Sequence, residues 1–128
     1  MRHARSRTRT LVTALAALIA LATFGATSAL AHVTISARTP ASGAVLARVP
    51  ASATITFSGQ LRRGTLKVFN ASGRQMSIGT GARDPRNVRR LRTELRALAN
   101  GRYTVRWTIV GGDGHAQSGS YAFRVNKS

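Results

Sequence analysis

The sequence has no cysteine. Disulfides, zinc ribbons and thiol catalysis are therefore excluded, and whatever core forms has to stand on apolar packing alone. Acids are nearly as scarce. Asp84, Glu94 and Asp113 are the only three, against 20 lysines and arginines, for a formal charge of +17. Methionine occurs twice, at Met1 and Met76, too few to assemble a soft thioether metal cluster. No apolar run reaches the roughly 20 residues that a spanning helix needs. Long 3.6-residue periodicity is missing as well, which argues against a helical domain.

What is present begins with a leader. Arg2, Arg5, Arg7 and Arg9 precede an apolar stretch over residues 11–24, and Ser28-Ala29-Leu30-Ala31 follows. A basic start, a short apolar middle and a small-residue end together describe a secretory signal peptide. Cleavage after Ala31 divides the chain into a signal peptide, residues 1–31, and one small domain, residues 32–128. The expected location is the periplasm, or the cell surface in a host with a single membrane. Absence of cysteine is compatible with export, because an oxidising compartment permits disulfides without requiring them. The exported part keeps sixteen basic residues and all three acids. Such a field would favour anionic partners, but the preferred explanation is a solvated, arginine-rich surface. No nucleic-acid partner is expected outside the cytoplasm.

From residue 32 onward the pattern is that of short strands. Val33 and Ile35 alternate with polar residues before the turn cluster Thr39-Pro40-Ala41-Ser42-Gly43. Ala53, Ile55 and Phe57 alternate with Thr54, Thr56 and Ser58, and Leu66 and Val68 repeat the pattern before Asn70-Ala71-Ser72-Gly73, which reads as a hairpin connection. Residues 88–98 fit either a strand with a loop or a short arginine-rich helix. The clearest strand places Tyr103, Val105, Trp107 and Ile109 on one face. Gly111-Gly112-Asp113-Gly114 ends it, and Tyr121, Phe123 and Val125 form a last alternating strand. About seven short strands predict an all-β, immunoglobulin-like antiparallel sandwich, with the single tryptophan as core.

Two histidines remain after cleavage, His32 and His115. The first would be the new N-terminal residue, offering its α-amine and an imidazole nitrogen to one metal in a chelate ring. Its alternative is accident, since signal peptidases accept many residues at that position. The second lies in Asp113-Gly114-His115, where residues i and i+2 of an extended segment project to one side. Its alternative is an ordinary polar loop in which Asp113 caps a turn. Together the two elements offer one amine, two imidazoles and one carboxylate, a set suited to copper(II) and poor for copper(I). Spacing alone leaves open whether residues 32 and 113–115 meet.

The order of motifs resembles the CopC family of exported copper-resistance proteins along nearly the whole of residues 32–128. His32-Val33-Thr34-Ile35 through Pro40-Ala41-Ser42-Gly43 resembles that family's opening, and Ile55-Thr56-Phe57-Ser58 its second strand. Gly101-Arg102-Tyr103-Thr104-Val105-Arg106-Trp107, Asp113-Gly114-His115 and Ser118-Gly119-Ser120-Tyr121-Ala122-Phe123 resemble its closing signature. The resemblance implies a Greek-key β-sandwich binding copper(II) through His32, Asp113 and His115, with no copper(I) site. It implies a carrier or buffer, not an enzyme, that sequesters copper or passes it to an inner-membrane importer resembling CopD. Gly59 and Gln60 stand where many members have a Glu near the metal, a departure that bears on affinity.

Two other readings compete. An oxidative copper enzyme also uses an N-terminal His and a second His, but such domains are generally larger, and an Asp ligand would fill the position that oxygen needs. A metal-free binding module would use residues 83–96, where Arg83, Arg86, Arg89, Arg90, Arg92 and Arg96 concentrate positive charge, to make peripheral contact with anionic membrane or wall polymer.

Overall fold

The computed structural model describes residues 32–128, so the expected signal peptide, residues 1–31, lies outside the described residues. Those described contain eight strands and no helix: β1 (Ile35–Thr39), β2 (Val45–Leu46), β3 (Ser52–Phe57), β4 (Leu61–Asn70), β5 (Ser77–Asp84), β6 (Asn87–Leu95), β7 (Gly101–Gly111) and β8 (Ala116–Val125). They form two four-stranded sheets, in the orders β1-β3-β6-β5 and β2-β8-β7-β4. All pairings are antiparallel except β2 with β8, which run parallel through Val45 opposite Arg124 and Leu46 opposite Val125.

The all-β sandwich expected from the sequence is therefore present, with one strand more than the seven anticipated. The segments read as strands from the sequence leave out β2, whose two residues are too short to leave an alternating pattern, and β5, which is buried only at its ends, Ser77 and Asp84. Residues 88–98 resolve as a strand over most of their length. Leu91 and Thr93 of β6 are buried while Arg92 and Glu94 are exposed, a period of two that only a strand satisfies. Pairing with β3 on one side and β5 on the other fixes it, and overrides any helical preference of its arginines. The Asn70–Gly73 connection starts as a hairpin, with an isolated bridge between Phe69 and Gln75. It then carries the chain into the other sheet, because β4 and β5 belong to different sheets.

The core comes from the inward rows of both sheets. Ile55, Phe57 and Leu91 meet Leu66, Val68, Val105, Trp107, Ile109 and Phe123. Trp107 sets its ring edge-on to Phe57 at 5.2 Å, and Tyr103 stacks on Phe123 at 5.4 Å while donating its hydroxyl to Ala99 O at 2.6 Å. The indole takes the space a side chain would fill at its cross-strand partner. A Cβ on Gly119 would lie 2.6 Å from Trp107 Cζ2 and 2.8 Å from Cε2. The ring is wedged between two sheets, so it has little room to yield.

The turn between β5 and β6 is knotted by a buried acid. Asp84 accepts the Arg86 backbone N–H on one oxygen at 2.9 Å and both Nε and Nη2 of Arg90 on the other. The Arg86 N–H first, opposed by burial and assisted by Arg90, holds this carboxyl below its ordinary range. A group depressed in the folded state stabilises fully above the usual carboxylate range, and that contribution disappears as pH falls through the depressed value. Asp84→Asn should therefore lower the thermal unfolding midpoint at neutral pH, and the gap from the parent should narrow on acidification, as followed by circular dichroism. Gly119→Ala should cost about 1–3 kcal/mol through overpacking, measurable by denaturant unfolding with Trp107 fluorescence as the probe.

Candidate metal centre

The lead-in to β1 is held on both sides by hydrogen bonds. Val33 N–H donates to Gln117 Oε1 at 3.2 Å, and Gln117 Nε2 donates back to Val33 O at 3.0 Å. One amide side chain thus captures one residue's backbone donor and acceptor, as a paired strand would. On the other side Thr34 N–H donates to Ser58 Oγ at 2.9 Å, and Ser58 N–H to Thr34 O at 2.8 Å. Residues 33 and 34 are clamped between β8 and the β3–β4 connection.

Two glycines lie against this clamp, and one of them makes room for it. A Cβ on Gly59 would touch Val33 Cγ2 at 3.4 Å, an ordinary contact, so the half-buried Val33 side chain occupies the region above it. A Cβ on Gly111 would lie 3.3 Å from the same methyl and 3.0 Å from Asp113 Oδ1. Gly111 is therefore the point where the start of the domain and the late turn come closest.

The turn between β7 and β8 carries Asp113 and His115. Gly111 N–H donates to His115 O at 3.0 Å, Gly114 N–H to Gly111 O at 2.9 Å, and Gly112 N–H to Gln60 O at 2.9 Å. Gly114 takes φ +86°, a left-handed conformation that costs glycine nothing. Arg62 crosses over the turn and donates Nε–H to Gly112 O at 3.1 Å. Inside this frame Asp113 Oδ1 accepts the His115 N–H at 3.0 Å, while Oδ2 lies 3.1 Å from His115 Nδ1. Convergence of the two side chains thus comes from a tight Asp-capped turn, not from the extended segment expected. The turn-capping alternative and the paired-ligand geometry occur together.

Electrostatics favour the charged carboxylate. The His115 backbone N–H first, opposed by burial and then joined by the His115 side chain, holds the Asp113 carboxyl below its ordinary range. Over a third of each side chain is open to solvent, so an ion has access. Two donors at right angles on one metal, with bonds near 2.0–2.1 Å, lie roughly 2.9 Å apart. The 3.1 Å between Nδ1 and Oδ2 is close to that separation.

Of the three expected ligands the structure brings two together, Asp113 and His115. His32 is exposed, one residue beyond the Gln117 clamp. Among the described residues no three His, Asp or Glu side chains gather into a metal-sized cluster. With Ala31 still attached, the nitrogen of residue 32 is a peptide amide and not an amine. Reading the sequence for metal ligands missed Gln117 and Arg62, which bind backbone and not metal. Neither left a signal in the sequence, because residues 111–115 form a tight turn and the parity of an extended segment does not run through it.

A family model for the CopC domain matches residues 35–126, a span that includes Asp113 and His115 but not His32. No curated protein matches the chain by sequence. Among solved structures, CopC from Methylosinus trichosporium OB3b superposes with a TM-score of 0.65 at 22% identity, covering 75% of this chain and 95% of that one. PcoC from Escherichia coli, a methionine-rich copper resistance protein, does so with a TM-score of 0.60 at 23% identity, covering 75% of this chain and 100% of its own. At such identities the superpositions speak for the shared sandwich, and the domain match speaks for descent: the chain belongs to the CopC family.

Proposed function

We propose that the chain, once cut after Ala31, binds copper(II) at His32, Asp113 and His115 and acts outside the cytoplasm as a carrier or buffer in copper resistance. The observation that supports this reading most is the reciprocal Gln117–Val33 pair. It fastens the residue next to His32 to a strand position two residues from His115. Cleavage would convert the residue 32 nitrogen from an amide, which cannot bind a metal readily, to an amine that can. The freed residue has only one residue of slack, which favours closing onto the Asp113–His115 pair without a large loss of chain entropy.

Copper(II) suits the set: one amine, two imidazoles and an already ionised carboxylate are nitrogen and oxygen donors in a tetragonal number. Protons compete at the nitrogens, so affinity falls as pH drops, while Asp113 stays charged into mild acid because its carboxyl is depressed. Met76 is the one thioether of residues 32–128. It is half-buried and its sulfur faces Asn70 Nδ2 at 3.9 Å, so a copper(I) site of the methionine-rich type has no basis here. Four protein donors also leave no equatorial place for oxygen, which favours carriage over catalysis. Delivery to an inner-membrane importer resembling CopD would be the matching fate of the ion.

Adding one alanine ahead of His32 should weaken copper(II) binding at least ~100-fold, the scale associated with loss of a chelating group in a metal site, as measured by competition with a chelator of known affinity. Equal affinity with and without the added residue would sink the assignment. Gln117→Ala leaves all three ligands intact but releases the Val33 peptide, and it should weaken binding by a smaller factor, roughly 5–10-fold for one or two lost hydrogen bonds. The Val33 amide should exchange faster with solvent by a similar factor.

A further inference from the structure

The strands of the β2-β8-β7-β4 sheet contain Arg62, Arg63, Lys67, Arg102, Arg106 and Arg124 and no acid. Register and burial sort their directions. Leu66, Trp107 and Gly119 form one inward row across the sheet, and Val68, Val105 and Tyr121 the next. The rows between them face outward. Arg63 stands beside Val110, then Thr65, Thr108 and Ser118 share a row, and then Lys67, Arg106 and Ser120. Phe69 and Thr104 follow, and Arg102 lies opposite Arg124 beyond them.

Cationic rows thus alternate with rows bearing hydroxyls. Successive outward rows are two residues apart, so cations recur about every 14 Å along a face roughly 27 Å long. Two shallow, open depressions of 420 and 560 Å³ adjoin along Thr65, Thr108 and Ser118 and make one shallow groove. In it the hydroxyls of Thr65 and Thr108 meet at 2.7 Å.

None of the cations on this sheet is in an ion pair. The pairs among the described residues are Arg90–Asp84 and Arg92–Glu94 of the other sheet, and His115–Asp113 in the β7–β8 turn beyond the end of these strands. By contrast, residues 83–96, densest in arginine along the chain, are largely engaged. Arg90 and Arg92 are paired, and Arg83 and Arg89 donate to Leu61 O and Ser58 O.

We propose that this groove binds an extended phosphodiester-linked polyol, with phosphates on the cationic rows and polyol hydroxyls on the threonine and serine rows. The charge is complementary along the whole length, and the absence of acids removes any local repulsion. An extended chain can lie along the groove and reach the Thr65, Thr108 and Ser118 hydroxyls that line it, which favours a polymer over a bilayer surface. A nucleic-acid strand would seek exposed rings for base stacking, yet the one aromatic facing outward, Phe69, carries the Arg106 guanidinium 5.1 Å above its ring.

Titration of the secreted protein with poly(glycerol phosphate) at low salt tests the site calorimetrically. Lys67→Ser combined with Arg106→Ser should weaken binding ~10-fold or more through lost phosphate contacts. Arg86→Ser combined with Arg92→Ser removes the same charge from the β5–β6 hairpin of the other sheet and should change it by less than about 3-fold. Should the first pair fail to fold, Arg102→Ser with Arg124→Ser tests the last cationic row. Equal losses from the pairs on the two sheets would reduce the effect to net charge and overturn the proposal. So would absence of binding to the polymer, or tighter binding to phosphatidylglycerol vesicles or to single-stranded DNA of equal charge.

Discussion

The candidate site depends on one small contact, the pair of hydrogen bonds by which the Gln117 side chain holds the Val33 backbone. The domain's first residues have few contacts of their own and would fray if left to themselves. Gln117 gives them a place on the edge of the second sheet, and Ser58 holds them from the other side. Glycine at position 111 lets Val33 settle close to the backbone. In consequence the two ends of the sandwich, separated by some 80 residues in sequence, share one corner.

The three acids show how sparingly this chain uses negative charge. Asp84 ties the β5–β6 turn, Glu94 meets Arg92 across the surface of β6, and Asp113 frames the late turn. Each is matched to a nearby cation or imidazole. Two of them sit in tight turns where a backbone N–H is captured by a carboxylate oxygen, the arrangement that most favours the ionised form. The exposed Arg92–Glu94 pair contributes little by comparison. Everything else that is charged is positive, and in the second sheet it is gathered on the outer face.

Much of the fold was legible in the chain. Alternation in Ala53–Ile55–Phe57, in Tyr103 to Ile109 and in Tyr121–Phe123–Val125 marks inward rows that are indeed buried. What escaped was whatever alternation does not encode. The two residues of β2 are defined only by their parallel pairing with β8. The Asn70–Gly73 turn looks like any hairpin, and the crossing between sheets depends on which partners β4 and β5 find elsewhere. At the site, Asp113 and His115 were visible because their chemistry is rare in this composition. Gln117 and Arg62 were not, since a side chain that bonds to backbone carries no signature until the backbone is placed. Whether His32 joins them turns on the terminus that the proposed cleavage would create, and that expectation comes from the leader, not from the domain.

The most direct measurement is electron paramagnetic resonance of the copper(II)-loaded secreted protein, with histidine labelled in nitrogen-15 and the other nitrogens left natural. Couplings from two labelled imidazoles, plus the N-terminal nitrogen of the first histidine, are expected in one spectrum from one site. A spectrum with a single imidazole coupling, or one unchanged when His32 is replaced, would contradict the corner that Gln117 builds.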